Sequence, residues 1–281
     1  MLSYRHGFHA GNHADVLKHA VLVCLLRHLT QKEKALMVVD THAGAGCYAL
    51  DSGFAARNAE YKSGIVPLWS RRELPAPLAD YVEQVRKVNP DGALRRYPGS
   101  PQVALQVLRP QDRLRLFELH STESVLLQEW LRDADRRVSV VAGDGFAGLK
   151  AVLPPPSRRG LVLIDPSYET ATDYRAVVAA MRDALTRFAT GTYVVWYPQL
   201  QRRESMELPG KLQRVATGDW LHVWLSVKAP AEDGFGLHGS GLFIFNSPWK
   251  LADDLEAMMP TLVKILGQDR AAGFGLDVRQ A

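Results

Sequence analysis

Short apolar runs recur along this chain, and most of them stop at a carboxylate. Leu36-Met37-Val38-Val39 ends at Asp40, Leu114 to Phe117 at Glu118, Val138 to Ala142 close to Asp144, and Leu161-Val162-Leu163-Ile164 at Asp165. A fifth run, Tyr193 to Tyr197, ends at Pro198. Helical patterns separate the runs. Segments this short and this continuously apolar, with helical crossovers between them, fit a parallel sheet covered on both faces. The last two runs, Leu221 to Val227 and Leu242 to Phe245, are joined by the Gly-rich stretch Gly234 to Gly241 without a helix, and read as an antiparallel pair. The expected fold is therefore α/β, a mostly parallel seven-stranded sheet with an antiparallel terminal strand. A helix precedes the first strand over His13 to Leu29. Asn12 caps it, and Asp15 stands at the capping-box position.

Composition narrows the class. With 281 residues, 47% of them hydrophobic and 23% charged, the chain has the proportions of a globular protein and excludes disorder and collagen. Two cysteines, Cys24 and Cys47, exclude a disulfide scaffold and read as reduced thiols. The start, Met1 to His6, has no apolar core of a signal peptide, and the run Ala20 to Leu26 is too short to span a bilayer. The expectation is a cytoplasmic protein with no membrane partner. The net charge of +4 allows an acidic partner without requiring one.

One stretch breaks the strand–helix alternation. From about residue 51 to 97 the pattern is helical, interrupted at Pro67, Pro75, Pro77 and Pro90. Read as an inserted helical subdomain, it divides the chain into a main domain over 1–50 and 98–281 and an insertion over 51–97. The insertion also explains a spacing. Asp40-Thr41-His42-Ala43-Gly44-Ala45-Gly46 follows a strand and leads into a helix, where glycines admit a ligand to the backbone. A carboxylate that bonds a nucleoside ribose commonly follows such a loop by about 20 residues, at the end of the next strand. Here that position belongs to Glu118, displaced by roughly the length of the insertion. Taken singly, the G-x-G is also a tight turn and Glu118 a solvated strand end.

Two more strand ends carry chemistry. Asp144-Gly145-Phe146 places an acceptor where an adenine amino group could reach it, although Asp-Gly is equally a turn. Asp165-Pro166-Ser167-Tyr168 ends the most apolar strand. The Asp165 carboxylate and the Pro166 carbonyl are two acceptors for the hydrogens of an exocyclic amine, and Tyr168 offers a face for a base. Asn246-Ser247-Pro248-Trp249 has a similar shape but follows the final strand, and reads as structural. Six of the nine histidines lie at or before His42. His9 and His13, or Asp15 and His19, have i,i+4 spacing, yet no recognised ligand pattern is complete, so no metal is expected. Arginine pairs at Arg71-Arg72 and Arg95-Arg96, within the insertion, tilt the reading towards nucleic acid.

Asp40-x-x-x-Gly44-x-Gly46, Glu118, Asp144 and Asp-Pro-x-Tyr together resemble the S-adenosylmethionine-dependent adenine-N6 methyltransferases. The strings Tyr4-Arg5-His6, Gly11-Asn12-His13-Ala14-Asp15-Val16-Leu17-Lys18-His19, Thr41 to Gly46, Tyr97-Pro98-Gly99-Ser100-Pro101 and Trp196-Tyr197-Pro198 narrow the likeness. They are similar to the ribosomal RNA large subunit methyltransferase J family, over nearly the whole chain. The resemblance implies a Rossmann-like class I methyltransferase, usually monomeric, that methylates N6 of one adenine in 23S ribosomal RNA, free or in a large-subunit assembly intermediate. It implies that Lys18, His19, His42, Ser100, Glu118, Asp144, Gly145 and Asp165 contact the cofactor, beside the loop glycines Gly44 and Gly46. It implies Asp165 as the catalytic carboxylate, with Pro166 and Tyr168 beside it, and Tyr4 as a contact to RNA. Ser167 departs from the family, which usually has a second proline there. A DNA adenine methyltransferase and a non-catalytic RNA-binding module are the alternatives. A nicotinamide dehydrogenase would need a third glycine, which Cys47-Tyr48-Ala49 does not supply.

Overall fold

The computed structural model describes residues 5–51, 53–134 and 136–280. Among the described residues there are ten strands: β1 (Met37–Asp40), β2 (Cys47–Ala49), β3 (Arg96–Pro98), β4 (Arg113–Glu118), β5 (Val138–Ala142), β6 (Gly160–Ile164), β7 (Thr192–Gln199), β8 (Trp220–Ser226), β9 (Gly239–Phe245) and β10 (Gly273–Arg279). The helices are α1 (His13–Leu29), α2 (Gly53–Asn58), α3 (Val66–Trp69), α4 (Ala76–Lys87), α5 (Ser100–Val107), α6 (Ser121–Trp130), α7 (Gly145–Val152), α8 (Ala171–Arg187), α9 (Arg203–Val215) and α10 (Leu251–Leu266).

Eight strands form one sheet in the order β10-β8-β9-β7-β6-β1-β4-β5. The five from β5 to β7 are parallel, and β9 runs against both β7 and β8. This is a Rossmann-like α/β sheet. It has one strand more than the seven legible in the sequence, because β10 adds antiparallel to the outer edge of β8. An edge strand buries little, so the composition of β10 carries only a weak strand signal. Two of its seven residues are glycines, and Gly275 lies so close to the Trp224 indole that a Cβ would collide with it.

The sheet separates two apolar layers, and alternation along each strand assigns its side chains to one or the other. In β1, Val38 joins α1, α4, α5 and α10, whereas Met37 and Val39 join α7, α8 and α9. Asn12 caps α1, its side chain accepting from the Ala14 and Asp15 N–H groups at 3.0 Å each. The capping box is shifted by one residue: the Asp15 carboxylate accepts from the Gly11 N–H instead of the Asn12 N–H. Residues 51–95 leave and return at one place, because β2 and β3 pair antiparallel, Cys47 opposite Pro98. Leu78, Tyr81, Val82 and Val85 of this stretch, together with Tyr97 of β3, share the apolar cluster that contains α1.

Candidate active site

Four neighbouring parallel strands bring their C-terminal ends to one edge, and with them Asp40, Glu118, Asp144 and Asp165. Chain order reverses about β1, and the crevice at such a switch point is where open α/β sheets bind ligands. A cavity of about 780 Å³ opens there. That volume lies within the roughly 300–1,000 Å³ of small-molecule sites. Asp144 and Asp165 line it with Glu118, as do Lys18, His19, His42, Gly44, Ser100, Pro166 and Ser167.

Glu118 is fixed by backbone. Its Oε2 accepts from the Gly44 N–H at 2.8 Å and its Oε1 from the His120 N–H at 2.7 Å. The turn this requires puts Gly44 at φ +61°, and a Cβ there would collide with the Tyr48 hydroxyl. Asp144 caps α7, accepting from the Phe146 N–H at 2.8 Å. Ser100 lines the cavity, but its hydroxyl is committed to Asp40 Oδ2 at 2.6 Å. Burial pushes the Asp40 carboxyl up to about 6, against the hydrogen bonds from Ser100 and the His42 N–H. Thr41 donates its hydroxyl to the Leu163 carbonyl, so its Oγ accepts from His42 Nδ1, at 2.8 Å. That pairing leaves His42 Nε2 as an acceptor. Burial lowers the His42 pKa to about 4, which keeps the ring neutral.

The second wall comes from α1. Lys18 is buried, and its Nζ donates to Asp165 Oδ2 at 2.6 Å and to Asp15 Oδ1 at 3.0 Å. Asp15 also accepts from His6 Nε2 at 2.9 Å. Burial alone would raise the Asp15 pKa, but the charges of His6 and Lys18 more than offset it and hold the carboxyl well below its ordinary range. His19 Nδ1 shares a hydrogen bond of 2.9 Å with the Tyr97 hydroxyl, which meets the Tyr81 hydroxyl at 2.9 Å. Burial takes the His19 pKa down to about 3, so the ring is neutral, and its Nε2 is buried without a partner. A buried imidazole nitrogen left unsatisfied in a cavity wall is a position that a ligand completes.

The Tyr97 hydroxyl bridges two buried groups. Tyr97→Phe would orphan both His19 Nδ1 and Tyr81 Oη, and the expected loss of folding stability is about 2 kcal/mol. Tyr81→Phe removes only the end of the chain and should cost about 1 kcal/mol. Urea unfolding of the two variants checks the ranking, and equal losses would contradict the bridge.

Three of the site residues expected from the sequence do not reach the cavity. Tyr168 is 2% exposed, packs on Tyr174 with ring centroids 4.6 Å apart, and donates its hydroxyl to the Trp196 carbonyl at 2.6 Å. It offers no free face to a base. Its φ of +51° turns the chain so that the ring anchors the Asp165-Pro166-Ser167 loop to the end of β7. The aromatic surfaces lining the cavity are Trp196, Phe146 and Tyr48. Gly46 packs against α6: at φ +82° its Cβ would meet Leu127 at 3.0 Å and Trp130 at 3.1 Å, and its carbonyl accepts from the Gly99 N–H. Gly145 allows α7 to start against β1, since a Cβ would run into the Thr41 carbonyl. Both glycines serve backbone approach within the protein. Tyr4 lies outside the described residues. Asn246 faces the other end of the sheet, its amide donating to the Ala189 and Gly191 carbonyls at 2.7 Å each.

Three histidines of the N-terminal region are engaged with carboxylates: His6 with Asp15, His9 with Glu60 and His28 with Asp254. Among the described residues, no group of three or more His, Cys, Asp or Glu side chains could hold a metal ion. No described helix is long and apolar enough to cross a membrane. Sequence reasoning passed over the Asp15–Lys18–Asp165 string and the Tyr97–Tyr81 support of His19. The available signal was four polar residues, His13, Asp15, Lys18 and His19, in the first two turns of a helix that is otherwise apolar as far as Leu26.

The model of a protein family described as ribosomal RNA large subunit methyltransferase D, RlmJ, matches residues 33–277. The chain belongs to the RlmJ family. It is 46% identical over 262 residues to ribosomal RNA large subunit methyltransferase J of Escherichia coli (strain K12), covering 93% of each chain. It is 45% identical over 267 residues to the protein of the same name from Haemophilus influenzae, covering 95% of this chain and 94% of that one. A crystal structure of a Legionella pneumophila protein superimposes with a TM-score of 0.88 at 36% identity, covering 96% of this chain and 98% of the other. The family match starts beyond α1, so the Lys18 and His19 wall rests on the geometry given above.

Proposed function

We propose that this chain transfers a methyl group from S-adenosylmethionine to N6 of an adenine in 23S ribosomal RNA. The observation that carries the reading is the Asp165-Pro166 loop, held by Lys18 and opening into the same cavity as Glu118. Glu118 would take the ribose hydroxyls of the cofactor, and Asp144 the adenine amino group. Lys18, His19, His42, Gly44, Ser100 and Asp165 would complete the cofactor wall, with the unpartnered His19 Nε2 as the group a ligand satisfies. Bound there, S-adenosylmethionine supplies an electrophilic methyl group on a sulfonium sulfur.

The lone pair of an adenine N6 is delocalised into the ring and is a poor nucleophile. Lys18 occupies Asp165 Oδ2, leaving Oδ1 to accept one N6 hydrogen while the Pro166 carbonyl accepts the other. Two acceptors draw the nitrogen towards a tetrahedral, nucleophilic form, and Asp165 takes the proton that the methylated amine loses. Positioning supplies most of the rate. The target base must leave its stack to enter the cavity. Trp196 replaces Tyr168 as the aromatic wall beside it. Tyr4 remains a proposed RNA contact. The reading includes a monomeric, cytoplasmic enzyme with a methyltransferase domain over 1–50 and 98–281 and a helical insertion over 51–97. Its substrate is 23S ribosomal RNA or a large-subunit assembly intermediate. Purified protein, labelled cofactor and 23S transcripts test it, with DNA oligonucleotides of the same sequence alongside. Labelled N6-methyladenine in RNA supports it, and label in DNA alone favours the DNA enzyme.

The insertion supplies an RNA-facing surface. Arg71 and Arg72 share an open depression of about 480 Å³ with Lys264 of α10. Arg95 is paired to Asp91 at 2.7 Å, and Arg96 lies over the Trp130 ring. Replacing Arg71, Arg72 and Lys264 with Ala should raise the KM for RNA and flatten its salt dependence by about 0.9 in slope for each phosphate no longer neutralised. The same change at Arg95 and Arg96 should do less. KM titrations at several salt concentrations check both.

A further inference from the structure

The most exposed large apolar side chain among the described residues is Phe235, at 79%. It stands in the loop between β8 and β9, between two glycines with positive φ, Gly234 at +77° and Gly236 at +92°. Space around Gly236 is open, with nothing within 4 Å of the position a Cβ would take. The base of the loop is held firmly. Val227 N–H donates to the His238 carbonyl at 2.9 Å, and the Gln201 amide, just past β7, donates to the Ala231 carbonyl at 2.9 Å. Gly236, Leu237 and Lys228 of the same loop line the cavity. An aromatic ring is thus carried to the rim of the cavity on a pinned loop with a glycine-flanked tip.

Exposing a phenyl ring to water is unfavourable, and this ring, fixed beside the cavity, offers a face that a base entering there would cover. A base drawn out of its stack leaves its neighbour with a bare face. We propose that Phe235 stacks on the nucleotide adjoining the extruded adenine. The inference rests on the RNA methyltransferase reading given above. Lys228, at the root of the loop and in the cavity wall, is placed to meet the phosphate between the two nucleotides. Glu232 and Asp233 lie on the same loop, and Asp233 Oδ1 is turned back onto the Phe235 N–H at 3.0 Å. The charges near the tip therefore oppose an electrostatic clamp, and Phe235 acts by stacking, which tolerates any base.

The test compares Phe235→Ala, Phe235→Leu and Phe235→Trp with the wild type on a 23S transcript, and follows cofactor binding by calorimetry. Ala and Leu should raise the KM for RNA about ten- to hundredfold, the range of a lost base–aromatic stack. Their salt slope and cofactor affinity should stay at wild-type values. Trp should restore the KM, and its fluorescence should be quenched by RNA. A wild-type KM in Phe235→Ala would overturn the proposal, as would full rescue by Leu, which cannot stack. An effect confined to pre-ribosomal particles would assign the ring to a protein partner and also overturn it. A wild-type protein inert towards RNA would instead overturn the reading of the activity itself.

Discussion

Asp165→Ala should lower kcat at least about a thousandfold, the upper half of the range for a positioned acid or base, while cofactor affinity falls less than about tenfold. The split follows from where the carboxylate stands. It is the strand-end acid beside the Pro166 carbonyl, so its loss removes an acceptor that matters when the amine becomes nucleophilic. The fold should tolerate the change. Lys18 keeps Asp15 at 3.0 Å as a partner, so the buried ammonium is not stranded. Asp165→Asn separates two parts of the role. It retains an acceptor oxygen but gives up the charge opposite Lys18 and the ability to take a proton, so its kcat should fall between those of Ala and wild type. Single-turnover methylation of a 23S transcript with calorimetry on each variant measures both quantities. An Asp165→Ala protein that is folded and turns over within tenfold of wild type would move the amine-holding group elsewhere in the cavity.

The residues that end strands were legible because two simple signals coincide at them. An apolar run marks a buried strand, and in four of the five parallel strands the first carboxylate after it lands at the sheet edge. Glu118, Asp144 and Asp165 reach one cavity for that reason, although the insertion hides the spacing between Gly46 and Glu118. The helix over 13–29 was legible from its cap and its continuous apolar content. Tyr168 was not. Its type says that an aromatic ring is present, but a φ of +51° decides that the ring points into the layer of α8 and α9. Gly46 and Gly145 illustrate the same limit. A glycine near a ligand loop reads as room for ligand, whereas here the close neighbours are Leu127, Trp130 and the Thr41 carbonyl, all of them protein. The Tyr97–Tyr81 support of His19 joins residues 78 positions apart, and no local pattern announces such a contact. β10 was hidden because an edge strand needs few apolar residues.

Glu118 carries the second large expected effect. Both of its oxygens already accept from backbone, Oε2 from Gly44 and Oε1 from His120, so the carboxylate locks the loop after β1 to the end of β4 before any ligand arrives. Each oxygen keeps further lone-pair capacity for a ribose hydroxyl. Glu118→Ala should therefore weaken S-adenosylmethionine binding by about 1–3 kcal/mol, because a charge-assisted hydrogen bond disappears. It should also lower folding stability by about 1–2 kcal/mol, because two backbone N–H groups lose their partner. Glu118→Gln is the sharper variant. An amide offers one acceptor and one donor, so whichever way it turns, its NH₂ faces a backbone N–H. Gln should then lose most of what Ala loses, despite matching Glu in size. Were the carboxylate only a solvated strand end, Gln would behave as wild type. Calorimetry gives the affinities. Thermal melts with and without cofactor supply an independent check, since ligand stabilisation grows as the logarithm of concentration over Kd and must shrink in parallel. Wild-type affinity in Glu118→Gln would detach this residue from the cofactor and leave it as a loop fastener alone.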